Sequence, residues 1–253
     1  MTILRSTVFF LYFALVSGAL SLLGLPALLL DRRVVVGISR TWSRAVLWGL
    51  KSIAGLDFEI RGTIPRDAVL VASKHMSMWD TIALYLFLDD PAVVLKRELL
   101  RIPFYGWIAW KAGVISIDRE GGGQALRRMV EKARAAIAHK RAILIFPEGH
   151  RMPPGAKPDY KPGVAALCAQ LRVACVPVAL NSGLFWTGPM GFLKKRGRVV
   201  VQFLEPIPPG MRSREFLQCL ESRVESATAA LIAEGQVLLD RGGANPAPAS
   251  ASH

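Results

Sequence analysis

A histidine and an aspartate five positions apart, in Ser73-Lys74-His75-Met76-Ser77-Met78-Trp79-Asp80, are the residues of this chain best suited by type and spacing to proton transfer. An imidazole changes charge near neutral pH. A carboxylate bound to one ring nitrogen fixes its tautomer and raises its basicity, leaving the other nitrogen to take a proton. On a continuous helix a separation of five would turn the two side chains onto different faces. With His75 in a loop and Asp80 in the first helical turn, the carboxylate can reach back to the ring. The same stretch also fits a capping box, with Ser77 at the N-cap, Asp80 at the third helical position and His75 an ordinary loop residue. A lone His-x4-Asp is a weak pattern, and the spacing leaves both readings open.

A second cluster, Phe146-Pro147-Glu148-Gly149-His150-Arg151, follows the apolar run Ala142 to Phe146. Here Arg151 can grip a phosphate bidentately and Glu148 can accept hydrogen bonds from hydroxyls, a combination suited to a polyol phosphate. The stretch Gly113 to Arg119 delivers another arginine after an apolar run, and Lys96-Arg97 adds more positive charge. Taken singly, each reads equally as a solvated surface charge. Together they supply cations at several strand ends, as an anionic acceptor requires.

The elements that must position these residues are legible as alternating runs. Strand-like segments fall at 58–61, 68–72, 92–95, 114–117, 142–146, 173–180 and 199–204, most of them continuously apolar, as in sheets covered on both faces. Between and after them, Leu126, Val130, Ala133 and Ile137 share one helical face, and Phe216, Leu220, Val224, Ala227 and Leu231 share another. Strands separated by helices predict an α/β domain over 56–240 with a mixed, largely parallel sheet flanked by helices. In such sheets ligands collect at the carboxyl ends of strands, which is where His75 and Phe146 to Arg151 fall. Residues 241–253, rich in Gly, Ala, Pro and Ser, read as a disordered tail.

Mean hydropathy is +0.34, and much of the excess lies between Thr7 and Leu30, 24 residues without a charge. As a helix this run is about 36 Å long, enough to cross a hydrocarbon core of about 30 Å. It exceeds the apolar region of a cleaved signal peptide, so residues 1–33 are expected to be a membrane anchor. Gly18, Gly24 and Pro26 leave a full span and a dip into one leaflet both open. Residues 34–55 predict an amphipathic helix on the membrane surface, with Ile38, Trp42, Val46, Gly49 and Ile53 on one face and Arg40, Arg44 and Lys51 on another. The net charge of +13 suits anionic partners, and the arginines after the anchor place the main domain on the cytoplasmic side. Cys168, Cys175 and Cys219 lack CxxC spacing and fit a reducing compartment.

In this order, His75-x4-Asp80, Gly113 to Arg119, Phe146 to Arg151 and Val176-Pro177-Val178-Ala179-Leu180-Asn181 resemble the four sequence blocks of the glycerolipid acyltransferases, over about residues 56–210. Among these the chain is most similar to the 1-acylglycerol-3-phosphate O-acyltransferases, which make phosphatidic acid from lysophosphatidic acid and an acyl thioester. The resemblance implies His75 as base, Asp80 as its support, and acceptor binding around Lys96, Arg119, Glu148, Gly149, His150 and Arg151. It implies no cofactor or metal, acyl-CoA or acyl carrier protein as co-substrate, membrane phospholipids as partners, and a place at a bacterial inner membrane. At His150 the family usually carries Thr or Ser, which exchanges a hydroxyl for an imidazole beside the expected phosphate.

Other chemistries find less support. There is no GxSxG elbow for a serine nucleophile, which leaves Ser77 as the conceivable covalent rival, and no HExxH for a metal. Gly121-Gly122-Gly123 lacks the Gly-Lys-Ser/Thr of a phosphate loop. A nucleic-acid role is not expected, since the basic residues share a chain with an anchor and form no recognition module. A non-catalytic protein that binds anionic lipids would account for the charge and the anchor, but not for His75 and Asp80 beside arginine-bearing strand ends.

Overall fold

The computed structural model describes residues 1–118, 121–187 and 191–243, with side chains described as far as residue 240. Each apolar run predicted as a strand is one: β1 (Leu56–Arg61), β2 (Leu70–Ser73), β3 (Ala92–Lys96), β4 (Ile115–Ile117), β5 (Ile143–Ile145), β6 (Cys175–Leu180) and β7 (Gly197–Phe203). They form a single sheet in the order β1-β7-β6-β2-β5-β3-β4. All neighbours run parallel except β6 and β7. Every residue of β2, β5 and β6 is buried, which is why these runs read as continuously apolar.

Successive residues of the strands face opposite layers. Val71, Leu144, Val176 and Val178 pack with Trp79, Ala83 and Leu84 of α3 (Met78–Phe87). Leu70, Ala72, Ile143 and Ile145 pack instead with α5 (Gly122–Ala138), α6 (Gly163–Leu171) and the first turns of α7 (Ser213–Gly243) through Val130, Ala133, Leu167, Phe216 and Leu220. Helix α7 runs to Gly243, into the stretch read as tail, and residues 244–253 lie outside the described residues. Helices α4 (Tyr105–Ala112) and α6 have no counterpart in the apolar periodicity of the sequence.

The N-terminal region is a helical hairpin. Helix α1 (Thr2–Ala27) is long and apolar enough to cross a membrane. Helix α2 (Arg32–Gly49) begins at an Asp31 cap whose carboxylate accepts from the Arg33 amide at 2.8 Å. A wider turn, Leu50–Ala54, closes it at Gly55. The apolar face of α2 packs against α1. Trp42 donates to Ser17 at 3.0 Å, Tyr12 donates to the Ala45 carbonyl at 2.9 Å, and Val46 and Leu50 are wholly buried. Gly49 is required here, since a Cβ would lie 2.3 Å from the Tyr12 ring. Burying the facing apolar surfaces of α1 and α2 against each other stabilises this hairpin. Helix α1 keeps Leu4, Leu11, Leu15, Leu22 and Leu23 exposed on its other side.

Candidate active site

Because β2 lies between β5 and β6, the loops leaving those strands meet at one end of the sheet. The chain leaving β2 carries His75, the chain leaving β5 carries Phe146 to Arg151, and Asn181-Ser182 follow β6. His75 Nδ1 lies 3.0 Å from Asp80 Oδ2. The same oxygen accepts from the backbone amides of Met76 at 2.6 Å and Ser77 at 2.9 Å. The other oxygen, Oδ1, accepts from Ser182 Oγ and lies 3.3 Å from Ser77 Oγ. The capping box and the His-Asp contact are therefore both real, since one carboxylate serves both. Ser77 caps α3 by accepting from the Trp79 amide at 3.2 Å.

Asp80 is fully buried beside His75. A buried carboxylate satisfied by amides and hydroxyls is held in one orientation, and it fixes the orientation of the imidazole bonded to it. The His75 ring stacks on Phe146 at 4.1 Å between centroids, and its backbone carbonyl accepts from the Met152 amide at 2.8 Å. The loop after β5 thus holds the histidine from two sides. Nε2 has no hydrogen bond among the described residues, and the side chain keeps 12% of its surface exposed. Ser77, the conceivable nucleophile, is buried, with its hydroxyl engaged by Ser182 at 2.9 Å.

Glu148, expected to face a substrate hydroxyl, has Oε1 on Lys74, while Oε2 is buried without a hydrogen bond among the described residues. Its carboxylate is turned inward onto Lys74 Nζ at 2.7 Å, with both side chains all but excluded from solvent. Lys74 also binds Glu225 of α7 at 2.8 and 3.1 Å, and Tyr160 donates to Glu225 at 2.9 Å. Burial holds the Glu148 carboxyl above the usual carboxylate range, opposed by Lys74. Burial and the neighbouring Glu225 push the Tyr160 phenol up as well. This network ties the loops after β2 and β5 to α7. Its partner in α7 lies 151 positions from Lys74, which no local pattern could reveal.

The remaining expected residues have separate surroundings. Gly149 makes the turn after β5 at φ 73°, with its amide donating to the Phe146 carbonyl at 2.9 Å. Arg151 is half-buried and within electrostatic range of the Tyr105 phenol at the start of α4. His150 is exposed and bears on Asp159 at the outer surface of the loop, away from the His75 ring's own contacts. Lys96, at the end of β3, is exposed and 3.8 Å from Glu98. Arg119 lies outside the described residues; Asp118 just before it contacts Arg97 at 3.3 Å. The positioning residues missed from the sequence are Phe146, Ser182, Lys74, Glu225 and Tyr160. Lys74, Phe146 and Ser182 lie in or directly after the quoted blocks, whereas Tyr160 and Glu225 had no local signal.

The sequence profile of the acyltransferase family matches residues 56–181, which span β1 to β6 and hold both catalytic loops. A 1-acyl-sn-glycerol-3-phosphate acyltransferase of Pseudomonas aeruginosa is 33% identical over 203 residues, 78% of each chain. The human alpha form is 30% identical over 185 residues, 72% of this chain and 65% of its own length. The chain thus spans a little under two thirds of the mammalian relative. The crystal structure of the Thermotoga maritima 1-acyl-sn-glycerophosphate acyltransferase superposes with a TM-score of 0.75 at 21% identity, covering 91% of this chain and 98% of that one. That likeness establishes the fold. The chain belongs to the acyltransferase family, in its 1-acyl-sn-glycerol-3-phosphate branch.

Proposed function

We propose that this protein transfers a fatty acyl group from an acyl thioester to the free hydroxyl of 1-acylglycerol 3-phosphate, giving phosphatidic acid for phospholipid synthesis. The observation that carries this reading is the 3.0 Å contact between His75 Nδ1 and a fully buried Asp80 at the end of β2. His75 Nε2 takes the proton of the acceptor hydroxyl as that oxygen attacks the thioester carbonyl. The C–O bond forms, the C–S bond breaks, and the imidazolium returns its proton to the departing thiolate. General-base help of this kind contributes roughly 10² to 10⁴ in rate, so positioning of both substrates supplies the remainder. Arg151, Lys96 and Arg119 are the groups assigned to the acceptor phosphate, Gly149 shapes the turn that presents Arg151, and coenzyme A or acyl carrier protein carries the donor.

The helical hairpin is assigned to membrane attachment, with the α/β domain on the cytoplasmic face. Helix α1 meets the domain near both of its ends, through Ser6 accepting from the Lys194 amide at 3.0 Å and Gly24 against Ile108. A helix held alongside its domain at both ends favours lying within one leaflet over crossing the bilayer with the domain free in water.

The test is release of free thiol from an oleoyl or palmitoyl thioester in the presence of different lysolipids. Acceleration by lysophosphatidic acid, and none by lysolipids lacking a bare phosphate, is expected. Thiol release without any acceptor would mark a thioesterase, and no release under any condition would mark a non-catalytic lipid-binding protein. A preference for another lysolipid would assign the exchange at His150 to acceptor choice.

A further inference from the structure

Beyond the hairpin, a second surface of this molecule is built to meet a lipid bilayer. From Arg101 to Trp110 the chain leaves most of its large side chains outside: Ile102 is 46% exposed, Phe104 39%, Trp107 49% and Trp110 72%. Phe104, Trp107 and Trp110 recur every three residues, so they form one ridge along α4, and the Phe104 and Trp107 rings lie 5.5 Å apart. Phe104 adopts φ 62°, a conformation that a phenylalanine rarely takes, and its ring stands on the outer surface. The ridge is also rigid. Gly106 lets the turn of Arg97–Arg101 pack directly on α4, since a Cβ there would lie 2.1 Å from the Leu100 carbonyl oxygen.

What covers this ridge is indicated by its neighbours. Trp107 and Trp110 share a cleft of about 340 Å³ with Leu28, at the end of the apolar helix α1. Arg32, at the start of α2, donates to the Ala112 carbonyl at 3.0 Å, which ties the end of α4 to the hairpin. Leu29 and Leu30 in the hairpin turn are themselves exposed. The aromatic ridge is therefore continuous with the end of α1, the one helix among the described residues long and apolar enough to cross a membrane. Its rim is cationic: between Arg97 and Lys111 the basic residues are Arg97, Arg101 and Lys111, and Glu98 is the sole carboxylate. Tryptophan flanked by lysine and arginine is the composition favoured at the boundary between lipid tails and anionic headgroups.

We infer that the Phe104–Trp107–Trp110 ridge of α4 inserts into the interfacial region of an anionic bilayer, as a membrane contact separate from the α1–α2 hairpin.

The test is tryptophan quenching of the full-length protein in phosphatidylcholine vesicles containing phosphatidylglycerol, with bromine atoms on the upper acyl-chain carbons. It needs no turnover, so its failure is distinct from failure of the acyl-transfer reading. The W107F/W110F double variant keeps aromatic side chains at exposed positions and should fold normally. It is expected to show a smaller bromine-quenched fraction than the wild type, while W79F, which removes a buried tryptophan, leaves the quenched amount unchanged. Wild-type emission should also become less accessible to aqueous acrylamide when vesicles are added, and the double variant should show a smaller change, with the exposed Trp48 of the hairpin accounting for what remains. An equal quenched fraction in wild type and double variant would overturn the proposal. So would concentration-dependent shielding of Trp107 and Trp110 in detergent without bilayer, which would assign the ridge to a second copy of the chain.

Discussion

Asp80 and Glu148 are both buried carboxylates at the same end of the same sheet, one after β2 and the other after β5, yet they are partnered in different ways. Asp80 is surrounded by neutral donors: two backbone amides on one oxygen and serine hydroxyls on the other, with His75 beside it. Glu148 is held by a full charge, Lys74, which it shares with Glu225 across to α7. The first arrangement fixes a carboxylate in place while leaving its electrostatic influence for the imidazole. The second neutralises the carboxylate and uses it as a tie between elements. Two carboxylates near one histidine thus differ in the kind of partner that holds them.

The comparison can be broken by removing each carboxylate's distinguishing partner or charge. Asp80→Asn keeps the shape of the cap but withdraws the charge that supports His75. A fall in kcat of about 10² to 10⁴ is expected, measured by acceptor-dependent thiol release, with the melting temperature nearly preserved. Lys74→Met should do the reverse. It leaves Glu148 buried without its cation, and loss of one partner from a buried pair costs about 3 to 5 kcal/mol. Denaturant melts should show that loss, while kcat at a permissive temperature stays within a few-fold of wild type. A Lys74 variant that folds normally but does not turn over would place Glu148 and Lys74 on the catalytic side of the comparison.

Smaller effects sharpen it. Ser182→Ala removes one hydroxyl donor from Asp80 Oδ1 without touching His75. A hydrogen bond to a charged group is worth about 1.5 to 3 kcal/mol, so a drop in kcat of roughly tenfold or more is expected with KM unchanged. The smallest effect is in pH dependence. Glu148 holds its proton to higher pH when folded than when unfolded, so the folded state binds more protons over that window. Its contribution to stability is then fully present below the ordinary glutamate value of 4.5 and is lost as pH rises through the folded value. Thermal melts of Glu148→Gln across that window should show a flatter slope than wild type.

Much of this was legible in the sequence because buried parallel strands leave a direct trace. The apolar runs at Ala68 to Ala72 and Ala142 to Phe146 marked β2 and β5, and the histidine and arginine clusters at their ends marked the candidate site. Helix α4 escaped because Tyr-Gly-Trp-Ile-Ala-Trp-Lys-Ala exposes its tryptophans, so its pattern matches no core-facing stripe. Helix α6 escaped because Gly163 to Leu171 is nearly all apolar and lacks a side-chain cap. The inward turn of Glu148 was illegible for a different reason. Whether a carboxylate in a turn meets solvent or a lysine depends on Glu225 and Tyr160, which only the folded sheet brings alongside.

The account rests on His75 and Asp80 acting as one unit, and a double-mutant cycle on kcat tests that most directly. His75→Ala, Asp80→Asn and the combined variant are compared by acceptor-dependent thiol release under saturating substrates. The combined variant should be no slower than His75→Ala alone, since the carboxylate has nothing left to support once the imidazole is gone. Multiplicative losses, or a His75→Ala protein that turns over at the wild-type rate, would contradict it.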